Sequence, residues 1–158
     1  MKRMNFIWAF IFSAAVLAAC DKSHDFLRDN TTATGVGYAP ISNNTLQDIT
    51  ANPVKNLGTS SSTATGYAGG ALFKTELTFF SQSPIKEINL YNTIGAGTRT
   101  LVTTSPYASA FSQSKRLDTL LVPYSVPTAT AGTVVKLEYE ILNQNALKTT
   151  RTAYVKVQ

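Results

Sequence analysis

The sequence predicts an all-β protein built on a single antiparallel β-sandwich of about seven strands. Three observations predict it. Apolar and polar residues alternate with a period of two in several short windows, the pattern of a strand with one buried face. Turn-forming residues punctuate these windows at intervals of about 8–12 residues, as in a sandwich. The chain also holds 22 threonines, which suit strands with one wet face, and no window carries the apolar stripe of a three-turn helix.

Along the chain, residues 45–57 (TLQDITANPVKNL) read as a first edge strand interrupted at Asn52-Pro53. The Gly/Ser/Thr-rich stretch 58–70 reads as a loop. The run 71–81 (ALFKTELTFFS) is the first clear strand, closed by Ser83-Pro84. Ile88 and Leu90 then alternate with Glu87, Asn89 and Tyr91, and Gly95-Ala96-Gly97 turns the chain into 98–103. Ser105-Pro106 breaks that strand before 107–113 (YASAFSQ). In 117–126, Leu120, Val122, Tyr124 and Val126 share one face, and Pro123 places this strand at an edge or a bend. The cleanest alternation is Val135, Leu137, Tyr139 and Ile141 against Lys136, Glu138 and Glu140. A turn at Asn143-Gln144-Asn145 folds it back on 147–157, making 133–157 a long hairpin.

The first residues follow a different logic. Lys2 and Arg3 precede an apolar run of 14 residues, Phe6 to Ala19, broken only by Ser13. As a helix that run measures about 21 Å, short of the ~30 Å hydrocarbon core, so a secretory signal peptide fits better than a membrane span. Its end, Leu17-Ala18-Ala19-Cys20, resembles the lipobox of bacterial lipoproteins. The resemblance implies cleavage before Cys20 and a diacylglycerol on its thiol, the nucleophile that accepts the lipid. The expected organisation is therefore a leader at 1–19, a lipidated flexible tether at 20–44 and a sandwich domain at 45–158. Asp21 directly after the cysteine resembles the inner-membrane retention signal of enteric bacteria, whereas in surface lipoproteins of glycan-degrading bacteria acidic residues there accompany export, so the outer membrane is the expected location and surface exposure its extension.

The segments IKEINLY, DTLLVPYSVP and GTVVKLEYEILNQNALKTTRTAYVKV resemble immunoglobulin-like modules of surface lipoproteins from glycan-degrading bacteria. That resemblance implies an extracellular adhesive or accessory module and transfers no catalytic residue. Any likeness to antibody domains is architectural, because the Cys…Trp…Cys pattern is missing.

Composition narrows the chemistry. One cysteine makes no internal disulfide, and one cysteine with one histidine makes no closed zinc site. Without Lys2 and Arg3 the balance is 12 basic against 9 acidic residues, +3, scattered except for Lys115-Arg116. No nucleic-acid stripe results. The sole histidine, His24, falls in the tether, so no Ser/His or Cys/His arrangement serves nucleophilic catalysis. Glu138 and Glu140 share a strand face and read as solvated side chains rather than an acid/base pair. Dispersed acids argue against calcium, and no metal or other cofactor is expected.

The expected function is a non-enzymatic envelope lipoprotein that presents a binding or structural accessory module. The alternative is a glycan-binding subunit of an outer-membrane carbohydrate-uptake system. Its partners would be the membrane, through the N-terminal lipid, and an envelope protein or glycan. Tyr91, Tyr107, Phe111 and Tyr154 are the candidate stacking aromatics, since rigid exposed rings recognise sugar faces and protein partners. A coplanar row of these rings would favour the glycan reading. Asp118-Thr119-Leu120 resembles a three-residue O-glycosylation acceptor, which would place a glycan on Thr119.

Overall fold

The structure, a computed structural model, describes residues 38–108 and 110–158. The lipobox, Cys20, His24 and the leader lie outside the described residues.

Ten strands form: β1 (Gln47–Asp48), β2 (Lys55–Asn56), β3 (Thr65–Tyr67), β4 (Leu72–Phe79), β5 (Ile85–Ile94), β6 (Thr100–Pro106), β7 (Phe111–Ser112), β8 (Leu117–Ser125), β9 (Val134–Asn143) and β10 (Lys148–Val157). Seven of them exceed two residues; β1, β2 and β7 are two residues each. No helix occurs among the described residues, and none there is long and apolar enough to cross a membrane.

The strands make two open five-stranded sheets, β2-β1-β4-β8-β7 and β3-β10-β9-β5-β6, packed face to face. Taking β1 and β3 as the two halves of a split first strand, the orders are A-B-E-D and G-F-C with an added C′, the immunoglobulin-like arrangement. All pairings are antiparallel except β3 with β10.

Alternation places the core as the sequence predicts. Leu77, Phe79, Val122, Tyr124 and Val126 from one sheet meet Ile88, Leu90, Val135, Leu137, Tyr139, Ile141 and Val155 from the other. The hairpin holds in unbroken register from Lys148↔Leu142 to Lys156↔Val134. Its turn closes through the Asn143 amide on the Leu147 carbonyl, with Ala146 in the left-handed region at φ 67°.

No disulfide joins the sheets; tyrosines do. Where antibody domains carry a disulfide between strands B and F, the Tyr139 hydroxyl of β9 lies 2.8 Å from the Thr75 hydroxyl of β4. The Asn92 amide donates to the Tyr124 hydroxyl at 3.1 Å, and the Tyr67 hydroxyl donates to Asp48 at 3.0 Å. Each buried phenol thereby keeps a polar partner while its ring fills the core. Burial pushes the Tyr139, Tyr124 and Tyr67 phenols above their ordinary range, so all three stay neutral.

Three details differ from expectation. The stretch 58–70 is not all loop: β3 runs parallel to β10 from Val155↔Thr65 to Val157↔Tyr67, and Tyr67 stacks on Phe73 at 4.7 Å. Small residues around Tyr67 hide the strand, because one buried ring makes no periodic pattern. The segment 107–113 contributes only Phe111 and Ser112. Residues 38–44, expected in the tether, bond to the sandwich instead: Ile41 bridges Phe80, the Ser42 hydroxyl donates to the Thr78 carbonyl at 2.7 Å, and Arg151 donates to the Ser42 and Asn44 carbonyls.

Pro123 sits where its missing N–H is harmless. The Thr119 amide points away from β4 and donates to the Ala110 carbonyl, and Pro123, four residues on, points its nitrogen the same way. Since β7 covers only Leu117 and Asp118, that side of β8 is an open edge, guarded by proline.

Candidate functional site

The most organised polar surface lies outside β5, β9 and β10. Period two turns Lys136, Glu138 and Glu140 outward, as the sequence predicts, but they are not simply solvated. Glu138 meets Lys136 at 3.2 Å and Arg99 Nε at 3.3 Å. Glu140 meets Lys148 at 2.8 Å and Arg99 Nη2 at 3.7 Å, and only 6% of the residue is exposed. The cationic heads sit on the carboxylates, and the cations' side chains are more exposed than those of the glutamates they cover.

Arg99 organises this lattice. It follows the Gly95-Ala96-Gly97 turn, where φ of +56° at Gly95 calls for a glycine. Its guanidinium stands 3.3 Å over the Tyr91 ring while bonding both glutamates. Sequence reading missed Arg99 because its partners are about 40 positions away and share no local pattern with it. Beside it, the Thr104 hydroxyl donates to Asn89 at 2.7 Å, and Asn89 donates to Glu87 at 3.3 Å. Chemically this surface is a satisfied ion-pair lattice. Among the described residues, no group of three or more His, Cys, Asp or Glu side chains converges.

The four candidate aromatics lie in different settings. Tyr91 is capped by Arg99. Tyr154 lies on the same outward face two strands away, in register with Lys136. Tyr107 turns inward: its ring meets Phe79 edge-on at 6.3 Å, and its hydroxyl donates to Asp118 at 2.9 Å. Phe111 stands on the far edge of the other sheet, about half exposed. No single row joins the four.

Thr119 lies mid-strand on β8 opposite Thr78. Its hydroxyl is buried and has no hydrogen-bond partner among the described residues. In this fold that oxygen is closed to solvent.

A different cluster gathers at the end of the sandwich where residue 38 joins it. The Tyr38 carbonyl accepts from Asn143 at 3.3 Å, tying this point to the β9–β10 turn. Asn145 donates to Ser83 at 3.1 Å, tying that turn to the β4–β5 loop. Tyr38, Ala39, Ile41, Phe80, Ser81 and Gln82 line a shallow, mainly apolar cleft of about 240 Å³ there. The cleft escaped sequence reading because Tyr38 and Ile41 fall in a stretch without periodicity.

No known protein-family model matches the chain, and no curated protein matches it.

Proposed function

We propose that this chain is a non-enzymatic lipoprotein of a bacterial envelope, held in the outer membrane by a lipid on Cys20 and presenting its sandwich as a binding or structural accessory module. The observation that carries the reading is the placement of Leu17-Ala18-Ala19-Cys20 at the end of a basic-then-apolar leader, followed by a self-contained domain from Tyr38 onward. The lattice around Arg99 supports a display role, because its carboxylates are engaged by cations. Two or three acyl chains would hold the protein firmly, at about 0.8 kcal/mol per buried CH₂.

Replacing Cys20 by Ala tests the anchor. The variant should leave the membrane fraction and lose incorporation of a labelled fatty acid. A variant that still pellets with membranes and still labels overturns the reading. Protease shaving of intact cells tests surface display: release of domain peptides only after lysis would exclude it.

The second reading, a glycan-binding subunit, draws support from Tyr91 and Tyr154 sharing one outward face. Against it stand the Arg99 cap and the scatter of Tyr107 and Phe111. A glycan screen with Tyr154→Ala as control separates the two readings.

A further inference from the structure

The end of the sandwich at which residue 38 joins combines three features. Large apolar side chains stand exposed there: Ile41 at 60%, Phe111 at 52%, Phe80 at 48% and Tyr38 at 43%. The segments around them, 38–46, 80–86, 106–117 and 143–148, carry Lys86, Lys115, Arg116 and Lys148, and the carboxylates Glu87 and Asp118 directly follow two of them. Lys86, Lys115 and Lys148 pair with Glu87, Glu76 and Glu140, which leaves Arg116 as the cation of these segments without a carboxylate partner among the described residues. This end is also the one joined to Cys20, by only 17 residues.

The opposite end differs. Leu72 is 77% exposed there, and Val54 and Ile94 are also open. The segments 49–54, 68–71, 95–98 and 126–133 at that end contain no charged residue of either sign, with Lys55 and Arg99 directly following two of them. Ten-residue strands separate the two ends by about 33 Å.

We infer that the end bearing Tyr38, Ile41, Phe80 and Phe111 rests on the surface of the bilayer that holds the anchor, as a second, reversible membrane contact. The inference rests on the lipid-anchored reading. Tyrosine and phenylalanine suit the headgroup boundary, where a ring is buried and a hydroxyl stays wet. Arg116 among them attracts anionic headgroups. Seventeen residues reach at most about 60 Å, so the anchor keeps this end near the membrane and raises its effective concentration there. Docking would turn the β5–β9–β10 lattice sideways and point the opposite end outward.

The chain after the leader contains no tryptophan, so one introduced indole is an unambiguous reporter. The chain 20–158 is coupled through its single thiol, Cys20, to a maleimide lipid in phosphatidylcholine–phosphatidylglycerol vesicles containing brominated phosphatidylcholine. Phe80→Trp should be quenched and blue-shifted, whereas Leu72→Trp at the far end should not. Adding Arg116→Gln to Phe80→Trp should lower the docked fraction roughly fivefold. Adding Ile41→Ser and Tyr38→Ser should lower it further. Equal quenching at both positions, quenching at Leu72→Trp alone, or an unchanged signal after these substitutions overturns the inference. An unquenched, unshifted signal at Phe80→Trp also overturns it and leaves this end for a protein partner. Chemical coupling supplies the anchor, so this result is independent of whether cells acylate Cys20, which the Cys20→Ala fractionation decides separately.

Discussion

The two sheets of the sandwich are built by different means. In β3-β10-β9-β5-β6, β9 is paired over nearly its whole length on both sides, from Val134 to Leu142 with β10 and from Val135 to Asn143 with β5. Contiguous backbone ladders fix that sheet. In β2-β1-β4-β8-β7, only β4 and β8 make a long pair, and the flanking strands are two residues each. Side chains reaching backbone carbonyls complete that second sheet: Ser42 to Thr78, Asn44 to Glu76 and Arg151 to Ser42 and Asn44. A ladder distributes its strength over many equivalent bonds, whereas a side-chain tie concentrates it in single residues. The first sheet should therefore tolerate local change outside its core, and the edge of the second should open first.

The largest effect belongs to the pin that makes the two sheets one cooperative unit. Tyr139 is fully buried between them and holds Thr75. Tyr139→Ala should cost about 3–5 kcal/mol, from lost contacts, a cavity and an unpaired Thr75 hydroxyl. Tyr139→Phe isolates the hydrogen bond and should cost about 1–2 kcal/mol. Denaturant melts followed by probes in each sheet check this. If the sheets melt separately in the wild type, Tyr139 does not couple them.

Next comes the side-chain tie. Arg151→Met keeps the aliphatic stem and removes two charge-assisted bonds to carbonyls, a loss of about 2 kcal/mol. Amide exchange should rise in 41–48 before it rises in β9. A uniform rise across both sheets would break the proposed contrast.

The same contrast explains what sequence could say. The hairpin 133–157 was legible because alternation, turn residues and pairing are all local. Its partner β5 was legible for the same reason, since Ile88 and Leu90 alternate with polar neighbours. The edge of the second sheet was not, because its position depends on Arg151, more than a hundred residues beyond the carbonyls it binds. Arg99 was hidden likewise: its role exists only once β5 and β9 lie side by side. Aromatic positions were legible as residues but not as surfaces, and Tyr107 turned inward because Asp118 and Phe79 waited there.

The smallest effect concerns the second pin, at the edge where β1 meets β3. Asp48 is buried, which alone would push its carboxyl up. Hydrogen bonds from the Thr50 hydroxyl and amide, the Tyr67 hydroxyl and the Ala51 amide outweigh burial and hold it below its ordinary value. A carboxyl depressed in the folded state stabilises above its unfolded value near 4 and ceases to do so as pH falls through the folded value. Tyr67 shows the complementary sign: burial, then the Asp48 carboxylate, raises its phenol, so its contribution is full below pH about 10 and declines above it. One pin therefore sets both an acid and an alkaline limit on the same edge. Asp48→Asn should cost about 1 kcal/mol at pH 7 and flatten the loss that sets in as pH falls below about 4, read from urea melts across pH. Because Asp48 belongs to the weakly laddered sheet, exchange in 41–48 should follow that acid loss while exchange in β9 stays constant; parallel change in both would return the pH response to the domain as a whole.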